Sequence, residues 1–130
     1  MADFLADIKS STKDYLKKWE DFRTKYKLEE FKPATIGYKA ENIANFNEII
    51  SALAEQGLIE QCHIGAVDNR YIASIVLHKP IVDDIYIIKL MQKRPKSADP
   101  TGLDHVDFYV TDLADIERLF QNKEIASWGA

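Results

Sequence analysis

Three histidines and a few lysines and aspartates are the side chains of this chain that are best suited to chemistry. An imidazole nitrogen is a good ligand for zinc, nickel or iron. A lysine ammonium offers charge complementarity to an acidic ligand, and a nearby carboxylate can hold it in an ion pair. The residues concerned are Lys39, His63, His78, Lys89, His105 and Asp107. They suit either a metal site or a pocket for a small polar molecule.

Motifs of well-known catalytic sites are missing from the sequence. It contains no Gly-x-Ser-x-Gly elbow, no phosphate-binding loop and no His-Glu-x-x-His helix. Its five glycines leave little material for a phosphate cradle. The only cysteine, Cys62, excludes a disulfide within the chain and a cysteine-rich zinc site. Its place in a predicted strand favours a core role.

Length and charge limit the class of protein. The 130 residues fit one domain, predicted over 1–130. The net charge is −4 and the two signs are interspersed, which argues against nucleic acid or an anionic membrane as the main partner. The sequence shows neither a membrane-spanning apolar stretch nor a secretory signal. We therefore expect a cytoplasmic protein.

The elements that must position these residues follow from hydrophobic periodicity. The spacing predicts a helix over 3–28, and a capping-box pattern at Ser11–Asp14 leaves open a division near Ser10. Asn42 and Gly57 bound a second helix, and Asp112 begins a third. Strands are predicted at 34–40, 58–65, 71–78, 85–90 and 103–110, with a turn at 66–70 between the second and third.

The sequence contains a repeat with an offset of 70 residues. Residues 35–46 match 105–116 in chemistry without a gap, with the caps Asn42 and Asp112 in register. This predicts a helical extension at 1–32, a first βαβββ repeat at 33–92 and an incomplete second repeat at 103–130. The second repeat lacks its last three strands, so either the chain is a fragment or a natural short form, or another chain supplies what is missing. An open edge invites pairing, and we expect a homodimer.

The repeat and its motifs resemble the vicinal-oxygen-chelate superfamily, which includes glyoxalases, bleomycin-resistance proteins and extradiol dioxygenases. Within it the chain is most similar to the YecM-like proteins. The motifs are Leu5-Ala6-Asp7-Ile8, Leu77-His78-Lys79-Pro80, Gly102-Leu103-Asp104-His105-Val106-Asp107-Phe108 and Asp112-Leu113-Ala114-Asp115-Ile116. The resemblance implies an α+β fold in which a curved mixed sheet forms a cup.

The resemblance also implies where a divalent metal would bind. Enzymes of the superfamily use a histidine near the start of each repeat's first strand and a glutamate near each repeat's last strand. His105 matches one histidine, whereas Thr35 and Lys89 occupy the other two positions within this chain. An ammonium at a carboxylate position repels a metal ion by several kcal/mol in a poorly solvated cleft. We therefore expect a degraded metal site and no cofactor, with His105 as the one inherited metal-ligand candidate.

Strand alternation predicts which side chains face the cup. If Val106 and Phe108 face the helices, then His105, Asp107 and Tyr109 face the cup. The same rule places Thr35, Lys39 and Lys89 on the cup side. In the two middle strands we assign the more polar set of alternate residues to the cup, which adds Gln61 and Ser74 to the histidines there. The predicted ligand-binding candidates are Thr35, Lys39, His63, His78, Lys89, His105, Asp107 and Tyr109.

Three interpretations of this set remain open. It can be a polar sheet face without a ligand, in which Lys89 pairs with Asp107 and the histidines bond to neighbours or to a dimer partner. It can bind a small acidic or polar molecule through lysine and histidine. It can also form a divalent-metal site from His63, His78 and His105, in an enzyme of glyoxalase, dioxygenase or isomerase type. The sequence favours a binding or interaction module, with the enzyme as the alternative.

Overall fold

The computed structural model describes residues 2–26, 31–94, 98 and 100–109, and the single positions 114, 117 and 121. Within these ranges the chain forms two helices and five strands. They are α1 (Ala2–Tyr26), β1 (Lys32–Ala40), α2 (Ile43–Glu55), β2 (Ile59–Val67), β3 (Arg70–Leu77), β4 (Ile87–Gln92) and β5 (Gly102–Tyr109). Neither helix combines the length and the apolar character that crossing a membrane requires.

The five strands form one mixed sheet in the order β2-β3-β4-β1-β5. β1 is parallel to β4 and antiparallel to β5, while β3 is antiparallel to both of its neighbours. The α+β class and the mixed sheet are thus confirmed, and the sheet is open. The helix predicted from Asp112 lies mainly outside the described residues, although positions 114, 117 and 121 are helical.

The N-terminal segment forms one continuous helix, so a division near Ser10 is ruled out. Extending an existing helix by one residue costs far less than nucleating a second helix, and residues 2–26 contain neither proline nor glycine. Buried side chains are spread along the whole length of the helix. Phe4 and Ile8 join the main core, and Trp19 packs on Phe108 with ring centroids 4.2 Å apart.

The core lies between one side of the sheet and the two helices. Ile36, Ile88 and Ile75 are paired across three neighbouring strands and have no exposed surface. α2 covers this part of the sheet with its buried residues Phe46, Ile49 and Leu53. α1 is attached through Tyr38, whose ring meets Phe4 edge-on and whose hydroxyl donates a hydrogen bond of 2.9 Å to Asp7.

The β2–β3 connection is tighter than the predicted turn at 66–70. Only Asp68 and Asn69 lie outside the strands, with φ of 50° and 62°. Two consecutive left-handed residues match the twist of an antiparallel hairpin, and Asp and Asn tolerate this conformation well. β2 therefore continues to Val67, two residues beyond the predicted end.

Candidate functional site

The candidate site is on the side of the sheet turned away from α1 and α2, called here the outer face. Residues paired across neighbouring strands point to the same side. One such row runs across all five strands as His63, Ser74, Lys89, Gly37 and His105. The adjacent row, which points to the helices, is Cys62, Ile75, Ile88, Ile36 and Val106. His63, Ser74, Lys89 and His105, which strand alternation assigns to one face, therefore lie on the same side of the sheet.

A β-bulge in β5 adds Asp104 to the outer face. Gly37 pairs with His105 and Tyr38 pairs with Leu103, so Asp104 is the extra residue on the β5 side. A bulge turns consecutive side chains toward the same side and re-aims them. Simple alternation would direct Asp104 to the core, and this residue is missing from the predicted set. A charged residue at a core-facing position is the sequence feature that indicates the bulge.

Five side chains form a continuous series of polar contacts, called here the charged chain. Lys39 Nζ lies 3.3 Å from Asp104 Oδ1, and the other oxygen of Asp104 lies 2.6 Å from His105 Nδ1. His105 Nε2 lies 3.6 Å from Asp107 Oδ1. Lys89 Nζ lies 3.6 Å from Asp107 Oδ2, which confirms the predicted ion pair. The imidazole is thus placed between two carboxylates, each of which also holds a lysine.

The imidazole of His105 lies directly over Gly37, in the middle of the row. A Cβ added to Gly37 would come within 2.7 Å of His105 Nδ1, far closer than atoms in contact normally approach. Gly37 is therefore required for the close approach of the ring to β1, rather than for a turn. Since Gly37 separates Lys89 from His105 in the row, the ring of His105 takes the space that a side chain at position 37 would occupy.

The charged chain changes the acidity of Asp104. Its partial burial alone would raise the pKa, but hydrogen bonds from His105 and Lys39, together with their charges, outweigh the burial and lower it. A carboxyl group with a lowered pKa in the folded state stabilises the protein above its ordinary pKa. That contribution is lost as pH falls through the lower value.

We expect Asp104→Asn to lower the free energy of unfolding near neutral pH and to have progressively less effect in acid. The difference from the wild type should shrink below about pH 3.9, the ordinary pKa of aspartate. Urea unfolding between pH 2 and pH 7 measures it. Glu48→Gln, on the exposed side of α2, serves as the control. A difference that stays constant with pH would show that the charge of Asp104 does not stabilise the fold.

The other predicted residues are more scattered. Thr35 is almost fully buried and pairs with Asp107. Lys32 pairs with Tyr109, the last residue of β5, whose side chain lies outside the description. His78 was predicted to end β3 but lies just beyond it, where its amide donates to Leu58 O. The strand ends earlier because the chain bends at 78 and 79, ahead of Pro80, which has no amide to donate to a strand ladder.

The structure does not bring the three histidines together. His63 and His105 are on opposite edge strands, four strand spacings or roughly 19 Å apart along the sheet. His78 contacts the start of β2 through Leu58, five positions before His63. Among the described residues, no three His, Cys, Asp or Glu side chains are grouped so that they could hold a metal ion.

Two surface grooves lie along α1, away from the outer face. One of about 540 Å³ runs between α1 and Val82–Asp83, and one of about 400 Å³ lies between α1 and Thr101–Leu103. Neither is lined by a member of the charged chain. Their polar lining belongs largely to the solvent-facing surface of the helix, whereas the outer face groups charged side chains at contact distance.

Comparison with protein-family models, with curated proteins and with solved structures finds no match to this chain. The function must therefore be inferred from the charged chain and its surroundings.

Proposed function

We propose that this chain is a binding module for a small acidic or polar molecule, held on the outer face by the charged chain. We further propose that the module is of vicinal-oxygen-chelate type and that its metal site is degraded. The supporting observation is the connected series from Lys39 to Lys89, which places two ammonium groups around one imidazole.

The two lysines of the charged chain differ in exposure. Lys39 is 15% exposed and its ammonium is close to Asp104, so it mainly holds that carboxylate in place. Lys89 is 52% exposed, and its ammonium lies 3.6 Å from Asp107, a longer distance than that between Lys39 and Asp104. An ammonium has three donors, so Lys89 can donate to a ligand carboxylate while it stays near Asp107. Lys89 is therefore the group that would meet the ligand.

The ligand must also be compatible with Asp107, which is 46% exposed beside Lys89. A bare anion would be repelled by this carboxylate. A molecule that carries a hydroxyl or amine next to its carboxylate can donate to Asp107 while it accepts from Lys89 and His105. Hydroxy acids and amino acids have this arrangement. They are the class of ligand that fits the charges of the outer face.

Apolar side chains border the polar row on both sides. Val76 and Ile87 are paired on one side of it, and Ile72 and Met91 on the other. All four are partly buried. Small-molecule sites combine such apolar walls with a few polar groups that fix the orientation of the ligand. The surroundings of Lys89 have this composition.

Amide chemical shifts during titration with sodium malate and with serine test the proposal. The expected perturbations centre on Lys89, His105 and Asp107. Replacing Lys89 with methionine keeps the length of the side chain but removes its charge, so we expect affinity to fall by about tenfold or more. Lys79→Met, in the exposed segment after β3, is the matched control. Shifts spread over all lysines, or an equal loss in both variants, would contradict the proposal.

The alternative is a divalent-metal-dependent enzyme, and one contact favours it. His105 Nε2 and Asp107 Oδ1 are 3.6 Å apart, which is a separation that two ligands of one ion can have. The nearby ammonium of Lys89 opposes a cation at this point, and the resemblance implies a carboxylate at position 89.

Lys89→Glu is therefore expected to create or strongly increase affinity for zinc or nickel. The variant would add a third oxygen or nitrogen ligand and remove a repelling charge. Calorimetric titration of both metals into the wild type and the variant measures the gain, with Lys79→Glu as the control for added negative charge. If affinity does not rise, position 89 does not correspond to the metal-ligand position of the superfamily.

A further inference from the structure

The two edges of the sheet are protected to different degrees. At one edge, α1 lies along β5, with Trp19 against Phe108 and Tyr15 hydrogen-bonded to the backbone of Val106. At the other edge, β2 ends the strand order, and no described strand pairs with its outer side. A sheet edge with free amides and carbonyls is a template for another strand.

β2 has few of the features that normally block such pairing. It is nine residues long, contains no proline and no lysine, and has a single charged residue, Glu60. Edge strands are usually protected by short length, charge, proline or a covering element. Ile64 and Val67 also leave 56% and 52% of their surface exposed. β2 is therefore an exposed and partly apolar edge.

The hairpin geometry shows which backbone groups of β2 are free. Val67 and Arg70 close a two-residue turn, and such a closing pair exchanges both of its hydrogen bonds. Hydrogen-bonded and non-hydrogen-bonded pairs then alternate along the ladder. Gly65 and His63 accordingly point their backbone groups toward β3. The amides and carbonyls of Cys62, Ile64 and Ala66 point outward.

We propose that β2 pairs antiparallel with β2 of a second copy of this chain, about a two-fold axis at His63. The two five-stranded sheets then form one continuous sheet. This register overlaps all nine residues and places Cys62 opposite Ile64 of the partner subunit. The amides and carbonyls of both residues point outward, so in this register the free backbone groups of one edge lie opposite those of the other.

A second copy suits this edge better than an unrelated strand, because two antiparallel copies of β2 match each other in hydrogen bonding and in charge. In the two-fold register the two Cys62–Ile64 pairs exchange about four hydrogen bonds between the chains. Glu60 lies opposite Ala66 of the partner subunit, so no like charges are directly paired. The exposed Ile64 gains apolar neighbours, and the outer faces of both copies join at His63.

Sedimentation velocity of the full chain over a range of concentrations tests the interface. We expect a dimer that Ile64→Lys weakens at least tenfold, since edge lysines oppose strand pairing. Tyr86→Lys is the control, because Tyr86 is 40% exposed and lies outside β2. Circular dichroism verifies that both variants are folded. A wild type that stays monomeric at every concentration would overturn the proposal.

Disulfide trapping tests the register itself. In a Cys62→Ser background, His63→Cys should oxidise to a covalent dimer, because a non-hydrogen-bonded pair brings the two Cα atoms to about 4.5 Å. Asp68→Cys in the same background is the control, since the turn lies far from the axis. A dimer that is insensitive to Ile64→Lys and is not trapped by His63→Cys would assign the interface to another surface.

Discussion

Gly37→Ala is expected to displace the imidazole of His105 from β1 and to weaken binding at the outer face by about tenfold. The added methyl group would occupy space that the ring now fills, within 2.7 Å of Nδ1. Moving the ring aside would lengthen its 2.6 Å contact with Asp104, which Lys39 holds from the other side. The variant therefore separates His105 from the carboxylate that orients it.

Two measurements follow this change. In the wild type, Asp104→Asn should shift the ring resonances of His105, and in the Gly37→Ala background the same change should have little effect on them. The malate titration should show the lower affinity. Gly65→Ala is a matched control, because Gly65 is also in a strand and has no atom within 4 Å of an added Cβ. Unchanged His105 resonances in Gly37→Ala would mean that the ring does not need the space above Gly37.

Ile88→Ala is expected to lower the free energy of unfolding by about 3 to 4 kcal/mol. Ile88 has no exposed surface and lies in β4, between Ile36 and Ile75 in the row that faces the helices. Removing three carbon atoms there loses apolar burial and leaves a cavity that a central strand cannot easily close. Few single changes in this chain should cost more.

Urea unfolding monitored by circular dichroism measures the effect. Ile43→Ala is the control, because Ile43 is 39% exposed at the start of α2 and lies outside β2, and its loss should stay within about 0.5 kcal/mol. A cost below about 1.5 kcal/mol for Ile88→Ala would show that the helices can repack over β4.

Periodicity was sufficient to predict the elements and much of the outer face. Asn42 and Gly57 bound α2 as expected, with Asn42 accepting from the Asn45 amide and Gly57 at a φ of 66°. Alternation also predicted that Lys89 and His105 share one face, because each strand presents every second residue to the same side. Such local rules need no knowledge of which strands pair.

Features that depend on strand pairing were not predictable in the same way. The bulge that adds Asp104 exists only because β5 has one more residue than β1 between two pairs. The contact between His105 and Gly37 requires the register of two strands that are about 70 residues apart in the sequence. The distance between His63 and His105 likewise depends on the order of the strands in the sheet. The alternation of side chains along a strand gives no information about that order.

The position of β1 between β4 and β5 has a consequence for how the chain assembles during synthesis. The partner of Thr35 in β4 is Ile87. The ribosome must therefore add 52 further residues after Thr35 before the first strand that pairs with β1 can begin to form. At 5–20 residues per second, ribosomal synthesis of that stretch takes roughly 3 to 10 s. The pairing of β2 with β3 is local in sequence and can form in microseconds. The nascent chain therefore presents a complete hairpin with an unprotected edge before the centre of its sheet can close.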